Sequence, residues 1–208
     1  MHPNPVFHDM DTARNIAFAR KRAFGILAVA VDGDFPHLSH VPFLLNEEGI
    51  SAELHLVRSN PIARMKNGPL LAKIAVSGPD SYVSPDWYEV PDQVPTWNYI
   101  AVHLTGTLEQ LPQSGMKDML DRQSAAYEER LLPKRPWKID KMTPEVRDKM
   151  MRMIVPFRFT LTGVDGTWKL GQNKPEEARL NAANEMAEHG IGSEFGVIAA
   201  MMRSLDHT

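Results

Sequence analysis

Apolar and polar positions alternate over much of the first half of the chain and widen to a helical spacing in the second. Phe24 to Val31, FGILAVAV, is a short apolar run that stops at Asp32-Gly33, a strong hairpin signal, and Pro36 to Leu45 follows as the return strand. Gly49 marks another turn and alternation resumes over Ser51 to Val57, which predicts a meander of three strands. Before it, Ala13, Ile16, Ala17 and Arg20 share the face of a helix that Asp9 or Asp11 can cap, with Lys21 and Arg22 in its last turn, where the helix dipole favours cations.

Asn60-Pro61 reads as a cap and first helical residue, predicting a short helix through Asn67 that Gly68-Pro69 stops. Leu70 to Ser77 is the fourth strand. Ser81 to Ser84 and Trp97 to Leu111 supply the fifth and sixth, the latter with Trp97, Tyr99, Ala101, His103 and Thr105 on one face. The spacing of Met116, Met119, Leu120 and Gln123 to Tyr127 predicts a helix, and Thr143-Pro144-Glu145 opens another carrying Val146, Met150 and Met153. A strand from Ile154 to Val164 is predicted to end at Asp165-Gly166, and helices are predicted over Pro175 to His189 and Ser193 to Leu205. Strands in hairpin order with helices added at the ends favour an antiparallel β-barrel or sandwich of the α+β class over alternating βαβ units. A single domain over residues 1–208 is expected, with 174–208 as its C-terminal helical appendage.

Composition narrows the function. The 208 residues are 43% hydrophobic and 24% charged, ordinary for a globular chain. The net charge of −3 gives no overall pull toward nucleic acid or anionic membrane. Cysteine is absent, which excludes disulfides, Cys-ligated metals and thiolate chemistry. The beginning of the chain lacks a basic start followed by an apolar core, and no run approaches membrane-spanning length, so the expected location is cytoplasmic.

Candidate chemistry gathers in a few places. Ser81 to Tyr99 holds Trp87, Trp97, Tyr82, Tyr88 and Tyr99 beside Pro85, Pro91 and Pro95, suited either to a rigid wall against a flat ligand or to core filling. His55 to Arg64, HLVRSNPIAR, joins a strand end to a helix start, and Arg58, Ser59, Asn60 and Arg64 there suit a phosphate as well as they suit a plain capped helix. His37 and His40, three apart on a strand, fall on opposite faces and make a poor chelating pair, so no metal site is expected. Residues 133–158 carry eight basic side chains against three acidic, a balance of +5, most simply a solvated helix surface. From Lys174 onward three bases face six acids, which would repel DNA phosphates, so the terminal helices do not read as a DNA-binding pair and charge does not support DNA contact.

The blocks HLSHVPF (37–43), HLVRSNP (55–61), YVSPDWY (82–88), VPTWNYIAVHLTG (94–106) and KLGQNKPEEARLN (169–181) together resemble the PaiB-like family, described as FMN-binding negative transcriptional regulators. The resemblance implies an antiparallel FMN-binding split β-barrel with C-terminal helices, forming a homodimer with FMN sites at the subunit interface. By that analogy Arg58, Ser59, Asn60 and Arg64 hold the FMN phosphate, and His40, Val41 and Pro42 run along the isoalloxazine edge. Trp97 and Asn98 reach the ring from the same or the other subunit, while Gln172 and Asn173 approach from the C-terminal block. Gly171 stands where the family often has Ser. Two other functions compete with the regulator: a flavin-dependent oxidoreductase in which His103, Tyr88 or Tyr99 handles protons, and a split barrel that binds haem.

Overall fold

A computed structural model describes residues 1–8, 10–65 and 68–205. Seven strands form one sheet: β1 (Phe24–Val29), β2 (His37–Pro42), β3 (Leu44–Leu45), β4 (Ser51–Val57), β5 (Leu70–Val83), β6 (Thr96–Gln110) and β7 (Ile154–Lys169). Their order is β2-β1-β5-β6-β7-β4-β3. Six helices accompany them: α1 (Thr12–Arg22), α2 (Pro61–Arg64), α3 (Met116–Glu129), α4 (Pro144–Met151), α5 (Glu176–His189) and α6 (Phe195–Arg203). The chain divides into two compact units, one of residues 1–18, 76–103 and 165–208 and the other of residues 19–75 and 104–164, so α1, β5, β6 and β7 each contribute residues to both.

In the unit of 19–75 and 104–164 the expected return strand of 36–45 splits at Phe43 into β2, which pairs with β1, and β3, which pairs with β4. These stand at opposite ends of the strand order, so the three predicted strands do not form a continuous meander. β1 and β2 pair antiparallel from Phe24↔Pro42 to Val29↔His37, closed through Gly33 at a φ of 72°, a left-handed value that suits glycine. β4 pairs with β3 on one side and with β7 on the other, His55 opposite Pro156. Strict alternation buries Ala52, Leu54 and Leu56 and turns Ser51, Glu53 and His55 to the other face. Leu27, Phe43, Ile62, Ile74, Leu104, Leu108, Phe157 and Phe159 complete this buried set. Gly106 stands where β6 and β7 press together: a Cβ there would lie 2.0 Å from the Thr160 carbonyl oxygen.

The other unit has its own core. Val83, Tyr88, Ile100, Trp168 and Leu170 pack with Ala178, Ala182, Ala183 and Met186 of α5 and Ile198, Ala199 and Met202 of α6. The small residues of α5 let α6 approach closely, which explains a helix with little hydrophobic bulk at the centre of a core.

Two further expectations fail instructively. β5 is one strand of 14 residues and does not break into two at Gly78-Pro79. The strand continues because the 191–193 segment lies along it, Asp80 donating to the Ser193 carbonyl and Tyr82 to the Ile191 carbonyl, each at 2.9 Å. β7 likewise runs through Asp165-Gly166 to Lys169. Gly166 serves close approach and not a turn, since a Cβ there would fall 2.1 Å from Asn15 Oδ1. Asp11 caps α1, its Oδ1 accepting from Arg14 N at 2.6 Å. Asp9, the other candidate cap, and Asn67, the expected end of α2, lie outside the described residues.

Candidate functional site

The corner after β4 is built by one side chain. Asn60 sits at φ −60° and ψ 135°, its Oδ1 accepts from Ile62 N at 2.9 Å, and Pro61 takes the first helical position. Its Nδ2 donates to Ser39 Oγ at 3.1 Å, tying the corner to β2. Ile62, fully buried, anchors α2 from below. Ser59 and Arg64 face solvent and make no side-chain hydrogen bond among the described residues. Arg58 is committed elsewhere: its guanidinium donates to the Arg152 carbonyl at 3.0 Å, to Gln113 Oε1 at 2.9 Å and to the Ile154 carbonyl at 3.4 Å. Both arginines carry their charge here, but Arg58 is held by neutral oxygens while Arg64 makes no side-chain bond among the described residues. On β2, His40 is exposed and stacks on Phe24 with ring centroids 6.3 Å apart, Val41 is buried, and Pro42 is half-buried.

Behind the corner, His55 meets α3. Gln123 is 4% exposed and donates to the Glu53 carbonyl at 2.9 Å, which leaves its Oε1, 3.2 Å away, to accept from His55 Nδ1. Burial lowers the His55 pKa below 6.5 and the Gln123 bond offsets part of that, so the imidazole is neutral near pH 7.

In the unit of 1–18, 76–103 and 165–208, Tyr82 stands between Trp87 and Trp97, edge-on to both at 6.5 and 6.3 Å. Trp87 packs against the core and Trp97 is 46% exposed, so the aromatic stretch is partly core and partly surface. Asn98 is 1% exposed and donates to Met202 Sδ at 3.3 Å. Gln172 is equally occupied: its Oε1 accepts from Leu170 N at 2.8 Å, and its Nε2 donates to the Trp168 carbonyl at 2.6 Å and the Val6 carbonyl at 3.3 Å. Asn173 is exposed. Tyr88 is buried, with its pKa raised by desolvation, and is a poor proton relay. Tyr99 and His103 are half-buried.

The residues that sequence reasoning passed over are Lys169 and Lys174. Lys169 Nζ donates to Thr96 Oγ1 and lies 5.8 Å from the centre of the Phe7 ring. Lys174 Nζ donates to Gln93 Oε1 at 2.6 Å and sits 5.1 Å over Tyr88. Both belong to KLGQNK, on either side of Gln172 and Asn173.

The chain matches, over residues 1–163, the family described as "Putative FMN-binding domain". It belongs to that flavin-binding family. Bacillus subtilis "Protease synthase and sporulation protein PAI 2" is 26% identical over 171 residues, 81% of each chain. Among solved structures, the chain resembles the FAD and heme binding protein from Mycobacterium smegmatis at a TM-score of 0.58 and 14% identity, covering 90% of this chain and 82% of that one. It also resembles the conserved hypothetical protein Rv2991 from Mycobacterium tuberculosis at a TM-score of 0.55 and 16% identity, covering 84% and 94%. The fold is thus the antiparallel split β-barrel with added helices expected above. Among the described residues no helix is long and apolar enough to cross a membrane, and no group of His, Asp and Glu could hold a metal ion.

Proposed function

We propose that the chain binds FMN as a homodimer, with the phosphate held at the Ser59–Asn60–Arg64 corner and the ring edge set along His40–Pro42. The observation that carries this is the donor set at the corner: Asn60 holds β2 and α2 in register while Ser59 and Arg64 stay free toward solvent. That set fits a phosphate dianion, which takes a cation and hydroxyl donors presented from fixed backbone. Membership of an FMN-binding family over most of the chain supports the same reading.

A bound flavin supplies reversible one- and two-electron chemistry. The chain's part is to bind and orient. Arg64 neutralises phosphate charge, Ser59 donates to it, and Val41, buried, fixes the strand from which His40 and Pro42 face the ring edge. Arg58 contributes by holding residues 113 and 152–154 beside the corner and is a positioning residue in this scheme.

The test is spectroscopic. Purified protein is expected to be yellow, or to bind FMN on titration with a shifted flavin absorption. Riboflavin, which lacks the phosphate, is expected to bind at least about tenfold more weakly, and Arg64→Met to bring FMN down to the riboflavin level. A mass in solution of two chains supports the dimer. Colourless protein that leaves the FMN spectrum unchanged overturns the proposal.

A regulatory output is a second reading, favoured by the relation to a Bacillus subtilis protein whose name ties it to protease synthesis and sporulation. Deletion of the gene with transcript profiling tests it: unchanged transcripts rule it out.

A further inference from the structure

Lys169 and Lys174 place two ammonium groups at the end of β7 with no acidic partner among the described residues. Lys169 and Lys174 bracket a tight turn in which Lys174 N donates to the Gly171 carbonyl at 3.0 Å and Gly171 takes a φ of 81°. The amide of Gln172 locks the same turn from inside by its bonds to Leu170 and Trp168. Thr96 and Gln93, which receive the two lysines, are three residues apart on the Pro-rich segment leading into β6. Neither lysine is in an ion pair among the described residues.

This arrangement is physically incomplete. Each ammonium has three N–H donors and spends one on a neutral oxygen, leaving two cationic centres with donors to spare. Rings restrict hydration on one side of each, Phe7 beside Lys169 and Tyr88 beneath Lys174. Like charges held together on a locked turn repel, and a bound anion removes the repulsion.

We propose that Lys169 and Lys174 form an oxyanion site, which takes the carboxylate or phosphate group of a small molecule. The turn preorganises both donors, and Thr96 and Gln93 each hold one ammonium group in place. The lowered pKa of Lys169, caused by burial and then by the charge of Lys174, agrees with two cations that lack an acid between them. His2, whose pKa is lowered by burial and by Lys169, stays neutral beside them and adds no third positive charge near pH 7. The site stands on one unit alone and does not depend on where flavin binds.

Site-resolved acylation tests it on the full chain as purified and again with saturating FMN. Limited acetic anhydride treatment followed by peptide mass spectrometry reads the rate at every lysine. Inorganic phosphate or acetate at millimolar concentration, against chloride of equal ionic strength, is expected to slow acylation of Lys169 and Lys174 severalfold while leaving Lys21 and Lys149 unchanged. Protection by phosphate alone identifies a phosphorylated ligand, and protection by acetate alone a carboxylate. Lys174→Met is expected to weaken protection of Lys169 about tenfold, as for loss of one charge-assisted contact. Lysines that only pin the Pro-rich segment would react at the same rate with or without the anion, and that result overturns the proposal. Lys174→Arg, which keeps the charge and the fold, is expected to retain the protection.

Discussion

The corner at Arg58–Arg64 and the turn at Lys169–Lys174 use their amides alike and their cations differently. In both, the amide side chain is mortar: Asn60 spends its oxygen on α2 and its nitrogen on Ser39, and Gln172 spends both ends on main chain. In the corner Arg58 is held by oxygens of 113, 152 and 154 while Arg64 makes no side-chain bond among the described residues, whereas in the turn each lysine makes one side-chain bond. An amide between two elements is the cheapest way to satisfy opposed backbone donors and acceptors at once, so amides go inward. Long cations flank them, their stems able to pack while their heads reach oxygens at the edge of the fold. The lesson is that ligand-facing character in a polar motif is read from partners already made and not from residue type.

The sharpest break of this comparison is Gln172→Ala. It removes the bonds to the Leu170 N–H and the Trp168 carbonyl and is expected to cost about 2 to 3 kcal/mol in urea denaturation. Gly171→Ser comes next: a side chain would be placed at a φ of 81°, at an expected cost of about 1 to 2 kcal/mol from left-handed strain, read by the same measurement. Asn60→Ala removes a cap and the Ser39 link and is expected to cost about 1 kcal/mol.

A finer contrast separates the two arginines. Arg58→Met is expected to lower stability by up to about 1 kcal/mol through its exposed hydrogen bonds, while Arg64→Met stays within about 0.5 kcal/mol and shows its effect in FMN affinity. Equal effects of the two on stability would erase the distinction drawn between them. The mildest test is pH. His55 has a folded pKa below its unfolded value of 6.5, so the unfolded chain binds more protons as pH falls through that range. Its contribution to stability is present above pH 6.5 and lost as pH falls toward the folded value. His55→Gln is expected to flatten that part of a stability-against-pH profile, measured by urea midpoints.

Much of this was legible in the sequence where a local rule acts alone. Asp32-Gly33, the Asn60-Pro61 cap and the alternation of 51–57 each follow from the backbone preferences of a few residues, and the structure carries all three. Gly78-Pro79 and Asp165-Gly166 misled because their role is set by partners distant in the chain: residues 191–193 lie along β5, and Asn15 presses on Gly166. The family blocks pointed to Asn98 and Gln172, yet no pattern within them says that Met202 and the backbone of 168–170 claim those amides. No spacing rule singles out Lys169 and Lys174: Glu177 stands three residues beyond Lys174, and the partners Thr96 and Gln93 are distant in the chain.

The Trp168 indole lies 3% exposed, donates to Asn15 Oδ1 at 2.8 Å and carries the Arg14 guanidinium 4.6 Å above its ring, whereas Trp97 is open to water. One compact unit thus carries a shielded fluorophore and a wetted one. In a chain with Trp87 and Trp137 replaced by Phe, a collisional quencher such as acrylamide will extinguish the second and spare the first, so the emission that survives reports whether α1 still grips the end of β7.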